Sequence, residues 1–189
     1  MIEPASKEDV KEVLPLLLSA IGYIAFSLAG TDNEEEAARV LAEFYAREDN
    51  RLSYRHVLVY RKEGTVAGML LSYPGDGAAE LDAPLAARPG REGDTYAGSG
   101  ITVEAEAGEY YLDAIAVEER YRKQGIAKAL IAAFERRGRL EGYDTVSLIV
   151  EQDNKSAYSI YSKLGYVEYG FLDIRGCRYL RMKKRVDES

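Results

Sequence analysis

The stretch Val117 to Ala127, VEERYRKQGIA, constrains this chain more than any other. Ahead of it, Tyr110 to Val117 (YYLDAIAV) reads as a strand. Behind it, Ile126 to Leu140 puts Ile126, Leu130, Ile131 and Phe134 on one side of a helix. A strand ends, a short basic turn with one glycine follows, and a helix opens. Amides in that turn and in the helix's first turn have no intrahelical partner. With the positive end of the helix dipole behind them, they make an anion site. Gly125 has no Cβ, so a phosphate can come close to the main chain. Arg120, Arg122 and Lys123 add positive charge, and the small Ala127 leaves the first turn uncrowded. Such a site suits a pyrophosphate. An ordinary solvated turn would use the same residues. No GK[ST] and no G-x-G-x-x-G is present.

A second constellation follows a β-branched run, Thr145 to Val150 (TVSLIV), that is typical of a buried strand. Asn154 can cap a helix running to about Leu164, closed by Gly165. Ala157, Tyr161 and Gly165 are spaced by four and share one helix face. Small residues at two of these positions let a ligand or a neighbouring element pass close to the tyrosine. The alternative is plain packing, with Asn154 only a cap and Tyr161 only a core residue.

Elsewhere the chain alternates helices and strands. Residues 1–4 suit a short first strand, and Ser6 with Asp9 approximates a capping box. Val10 to Ile21 has helical spacing, with Pro15 inside it as a kink or as the true start. Thr31 or Asp32 can cap a second helix that carries Glu34, Glu35 and Glu36 in its first turn and ends at Asp49-Asn50. His56 to Arg61 and Thr65 to Tyr73 read as a hairpin turning at Glu63-Gly64, and Tyr166 to Leu172 with Cys177 to Lys183 as a final antiparallel pair. Between the two halves, residues 74–108 hold three of the five prolines and many glycines. A stretch this long and loop-like is usually functional or disordered. It reads as an insertion in one domain spanning 1–189, with a short helix around Ala79 to Ala87.

Composition excludes several classes. Twenty-five Lys and Arg against 32 Asp and Glu give a net charge of −7. That balance argues against sequence-independent nucleic-acid binding. No apolar stretch approaches the ~20 residues of a membrane span, and the N-terminus does not read as a secretory signal. A single cysteine, Cys177, forms no internal disulfide, so a reducing cytoplasm is expected. No cluster has metal-ligand spacing, so no metal is expected. Fifteen tyrosines against four phenylalanines and no tryptophan suit half-wet clefts. Tyr23, Tyr45, Tyr73 and Tyr96 are candidates to line an acceptor site, with Glu34 to Glu36 a further candidate.

In order and spacing, the strand LDAIAV, the turn RKQGIA, the strand SLIV and the helix NKSAYSIYSKLGYV resemble the GCN5-related N-acetyltransferase (GNAT) family over about residues 110–169. The family's loop form is Q/R-x-x-G-x-G/A, and Arg122, Gly125 and Ala127 satisfy it. The resemblance implies an α/β fold. Its central sheet is mixed and mostly antiparallel, flanked by helices, with two parallel strands that splay apart. It implies acetyl-CoA as cosubstrate in the cleft between those strands. Main-chain groups of Ile115, Ala116 and Val117 would lie along the pantetheine arm. The amides of Arg122, Lys123, Gln124, Gly125, Ile126 and Ala127 would surround the pyrophosphate. Asn154 would contact the CoA arm, and Tyr161 would stand near the sulfur.

The implied activity is transfer of an acetyl group to a primary amine of a small molecule or peptide by direct attack. A tyrosine of pKa about 10 stays protonated at neutral pH and can serve as acid. Asp113 is the first candidate base, on a strand face shared with Tyr111, Ile115 and Val117. A structural partner for a nearby loop is its other reading. His56 fits surface or packing better than catalysis, and Cys177 fits an ordinary strand residue better than a nucleophile. Residues 74–108 are expected to order over the acceptor site. Two other functions remain open: a non-catalytic acyl-CoA-binding regulatory module, and an interaction domain built on tyrosines and the long loop. The last strands could present an edge for a homodimer.

Overall fold

The structure, a computed structural model, describes residues 1–88 and 100–186. Seven strands form its centre: β1 (Ile2–Pro4), β2 (Val57–Lys62), β3 (Thr65–Pro74), β4 (Tyr110–Val117), β5 (Thr145–Glu151), β6 (Val167–Ile174) and β7 (Cys177–Arg185). They lie in the order β1-β2-β3-β4-β5-β7-β6. Every neighbouring pair is antiparallel except β4 and β5, which run parallel. This is the mixed, mostly antiparallel α/β sheet that the sequence led us to expect. Glu63 and Gly64, both at positive φ (53° and 81°), make the tight turn between β2 and β3. Such turns match the twist of the strands they join.

Six α-helices cover the sheet: α1 (Val10–Ile21), α2 (Ile24–Ala29), α3 (Glu34–Ala46), α4 (Ala78–Ala86), α5 (Ile126–Leu140) and α6 (Lys155–Lys163). Helices α1 to α3 pack on one face, where Val13, Leu17 and Leu41 meet Val57, Val59 and Met69. On the other face, Leu130, Ile131 and Phe134 of α5 meet Leu70, Leu112 and Val146. Gly68 lets α5 settle closely, because a Cβ there would stand 3.1 Å from Ile126 Cγ2 and from the Ala116 carbonyl. The first turn of α5 is thereby seated directly on β3 and β4.

Several local expectations need correction. Helix α2 was not anticipated. Six nearly all-apolar residues between Gly22 and Gly30 carry no periodicity to read. Asn33, not Thr31 or Asp32, caps α3, its Oδ1 accepting from the Glu36 amide at 2.9 Å. That helix ends at Ala46, before Asp49-Asn50. Helix α1 runs unbroken through Pro15. His56 belongs to a turn of 3-10 helix ahead of β2, outside the strand. The Ser6–Asp9 box is present, with the Ser6 amide donating to Asp9 Oδ2 at 2.8 Å.

Candidate active site

The two parallel strands share three rungs only: Tyr110 with Val146, Tyr111 with Ser147, and Leu112 with Leu148. Beyond them, β4 stays bonded to β3 and β5 stays bonded to β7, so the edges that face each other carry no ladder. A cleft of ≈ 270 Å³ occupies the fork. The fork begins at Asp113. Along β3, Leu71 pairs with Ala114 and Ser72 with Leu112, so Asp113 is the extra residue of a β-bulge. A bulge re-aims the side chains that follow it. Ile115 and Val117 therefore join Tyr110 and Leu112 on the α5 side, while Ala114 and Ala116 turn to the α1 side. This corrects the expected face: Asp113 does not share one with Ile115 and Val117.

The basic turn ends at the α5 N-terminus with Lys123 at φ 61° and Gly125 at φ 80°. Gly125 is needed for that backbone turn. Its missing Cβ would otherwise point into open space. The amides of residues 123–128 find no acceptor among the described residues. Successive free amides around left-handed residues form a concave anion nest. Of the three basic side chains, only Arg120 is paired with a carboxylate among the described residues, and Lys62 joins them at the turn. Arg120 pairs with Glu118 at 2.7 Å, Arg122 Nε donates to the Val117 carbonyl at 3.2 Å, and Gln124 accepts from Lys62 at 2.6 Å.

Helix α6 borders the other side of the cleft. Asn154 Oδ1 accepts from the Ala157 amide at 3.1 Å, so this residue is a genuine cap, and it also lines the cleft. Tyr161 lines the cleft as well, with its ring edge-on to Tyr166. Burial raises its pKa to about 12. Its hydroxyl meets no hydrogen-bond partner among the described residues.

Asp113 is held at the fork by other side chains. Tyr73 Oη donates to its Oδ2 at 2.8 Å, and Arg51 Nε stands 3.4 Å from the same oxygen. Arg51 is wholly buried and also faces Asp82 of α4 at 3.4 Å and Glu104 at 3.1 Å. Glu104 accepts in turn from Tyr111 Oη at 2.7 Å. Sequence reading missed Arg51, Asp82 and Glu104, because 53 residues separate Arg51 from Glu104 and no local spacing links them. It missed Glu151 and Tyr179 on the rim too, where Tyr179 Oη donates to Glu151 at 3.3 Å and lies 3.2 Å from Tyr23 Oη.

Of the four tyrosine candidates, Tyr23 reaches the rim and Tyr73 the fork. Tyr45 is fully buried, donating to the Ser6 carbonyl at 2.9 Å, and takes no part. Tyr96 lies outside the described residues. Glu34 borders a separate hollow between α1 and α3, away from the fork. Within 74–108, α4 and residues 100–108 pack beside the fork, the Glu104 carbonyl accepting from Arg181 at 2.9 Å, and residues 89–99 lie outside the described residues. Cys177 opens β7 and does not line the cleft. His56 rests edge-on to Tyr73 at 5.9 Å, and burial lowers its pKa to about 4.

A fork between parallel strands, with a basic turn and a free helix N-terminus beside it, makes a cleft in an α/β fold that suits a ligand with an anionic group. The acetyltransferase (GNAT) family matches residues 23–166, and the chain belongs to that family. Among solved structures it is similar to a protein described only as an acetyltransferase, at 30% identity and TM-score 0.80, covering 99% of this chain and 100% of that one. It is also similar to an N-acetyltransferase from Staphylococcus aureus Mu50, at 23% identity and TM-score 0.81, over 97% and 100% of the two chains. A more remote fold likeness is to the NatC complex bound to Gag peptide and CoA, at 13% identity and TM-score 0.57, over 98% and 97%. Comparison with curated proteins gave no match. No helix among the described residues is long and apolar enough to cross a membrane.

Proposed function

We propose that this protein is an acetyl-CoA-dependent N-acetyltransferase acting on a primary amine of a small molecule or peptide. One observation carries the reading: β4 and β5 share three rungs and then expose facing, unpaired backbone edges. A pantetheine arm, with its own amides, can bond such an edge as an added strand does. Ile115, Ala116 and Val117 supply that edge. The free amides from Lys123 to Ala127, with Arg122 beside them, suit the pyrophosphate, and Asn154 borders the arm. These features fit the cosubstrate, which supplies an acetyl group activated as a thioester.

The chain's own residues then manage protons. Tyr161 holds its proton firmly at neutral pH, because burial opposes the phenolate. In this reading it gives that proton to the leaving sulfur. Asp113, at the bulge, faces the same cleft and is the candidate acceptor of a proton from the attacking ammonium. In balance, a C–N bond forms and the thioester C–S bond breaks. One amine proton leaves to the carboxylates and solvent, and the sulfur gains one from Tyr161, which is replenished by the second. The chain acts as one domain in this reading, with its single free cysteine suited to the cytoplasm and its edge strand β6, carrying exposed Val167 and Phe171, open to a second copy.

Calorimetry with acetyl-CoA and thiol release across an amine panel test the proposal. We expect binding and amine-dependent release. Binding without release on any amine would leave a regulatory acyl-CoA module, and no binding would refute both.

A further inference from the structure

The acceptor end of the cleft is strongly acidic. Glu104, Asp113 and Glu151 line it, and the sole cation among its described lining residues is Arg51. That arginine is already engaged three times, by Asp82, Glu104 and Asp113, at 3.1–3.4 Å. One buried positive charge therefore faces three carboxylates, and the cluster is short of cations. The ion pairs in the cluster are also loose. Arg51 Nε and Nη1 and Asp82 Oδ1 are buried and make no hydrogen bond, only ion-pair contacts at 3.4 Å. Buried charges left this way are costly unless protons or a further cation compensate them. Burial accordingly raises the pKa of Asp82 to about 6 and raises that of Glu104. Among the described residues no group of His, Cys, Asp and Glu is arranged to hold a metal ion. A proton on these carboxylates, or a cation entering through the cleft, supplies the compensation.

We propose that the acceptor is a cationic amine with no carboxylate beside its amino group, and that Glu104 is the residue that selects it. The proposal rests on the acetyltransferase reading and names the substrate class of that site. An incoming ammonium meets Glu104 and Asp113 at the fork and supplies the missing positive charge. A zwitterionic amino acid brings its own carboxylate against Glu104, Asp113 or Glu151, and among the described residues that line the cleft the one cation, Arg51, is already engaged. Like charges brought together in this way disfavour the wrong partner strongly. Glu104 is well fixed for the task. Its Oε2 accepts from Tyr111, its Oε1 accepts from Arg51, and its carbonyl accepts from Arg181. Glu151 on the rim extends the same sign outward, with Tyr179 donating to it.

The test compares amino acids with their carboxamides, leucine against leucinamide and lysine against lysinamide, in a thiol-release assay with acetyl-CoA. At least one carboxamide should be turned over with a kcat/KM on the order of 100-fold above its amino acid. Glu104→Gln keeps the bond from Tyr111 and should shrink that ratio to about tenfold or less, through KM more than kcat. Because Glu104 is buried, Glu151→Gln on the exposed rim is the second variant and should shrink the ratio by a smaller factor. Equal use of amino acid and carboxamide, turnover of neither, or a ratio unmoved in both variants overturns the proposal. Calorimetry separates the two levels of failure. If acetyl-CoA binds while amino acids are used as well as amides, only the acceptor class falls. If acetyl-CoA does not bind, the transferase reading falls with it.

Discussion

Under α5 the sheet buries Tyr110, Leu112 and Val146 against Leu130, Ile131 and Phe134, an interior almost without charge. Beside α4, at the opening of the fork, it buries Arg51 among Asp82, Glu104 and Asp113, roofed by Tyr73 and Tyr111. The first region stabilises by area, at roughly 25 cal/mol per Å² or about 2 kcal/mol for each fully buried large side chain. The second gains little net stability, since desolvation of the ions offsets their attraction. The difference is instructive. Apolar burial holds β4 and β5 together over their three rungs, and charge is kept where they part. The opening is lined by charge, so its chemistry is set by which group enters.

Four measurements can break or sharpen that contrast. The largest expected effect is at Arg51. Replacing it, Arg51→Met, strands three carboxylates and should cost about 3–5 kcal/mol in urea unfolding. A midpoint within error of the parent would mean that the charged region carries no structural weight. Next is Tyr161→Phe. The hydroxyl has no described protein partner, so stability and acetyl-CoA affinity should hold while kcat drops on the order of 100-fold. Unchanged turnover would remove Tyr161 as the acid.

The third measurement is a pH series. His56 is held neutral by burial, its pKa near 4 against an ordinary 6.5. The unfolded chain takes up that proton first, so this contribution to stability is lost as pH falls from about 6.5 toward 4. Asp82 works in reverse. Burial lifts its pKa to about 6 from 3.8, so the folded state takes up the proton first and stability rises as pH falls through 6. Between pH 7 and pH 5 the histidine costs about 2 kcal/mol and the aspartate offsets about 1. Asp82→Asn should therefore lose about 1 kcal/mol more than the parent over that interval, read by chemical denaturation at each pH. Parallel losses in the two proteins would take Asp82 out of the titrating cluster. The fourth measurement is at the nest. Gly125→Ala forces a side chain into φ 80° without a clash, so it should cost about 1–2 kcal/mol of stability and weaken acetyl-CoA binding severalfold. A fully unaffected variant would show that the turn tolerates a Cβ and is no tight cradle.

Legibility differed between the two regions for a physical reason. The apolar region announces itself locally. Strand β4 and helix α5 were read to their end residues, because alternation and 3.6-residue spacing are properties of neighbours in sequence. The turn from Arg122 to Ala127, the Asn154 cap and Tyr161 were equally local. The charged region is written across Arg51, Asp82, Glu104 and Asp113, each unremarkable where it stands. Asp113 was singled out, but on the wrong face, since period-two counting assumes a strand without a bulge. Helix α2 escaped for the opposite reason, being too short and too uniformly apolar to show a period.

The amino-acid sequence by itself determined the order of elements apart from α2, the free amides at the start of α5 and the small-residue face around Tyr161. Each follows from backbone geometry within a few residues. Only the tertiary structure decided that β4 and β5 share three rungs and then part, that Asp113 bulges at the fork, and that Glu104 arrives there opposite a buried arginine. Those outcomes depend on contacts between distant segments. Their free energy exists only once the sheet has brought the segments into one low-dielectric place.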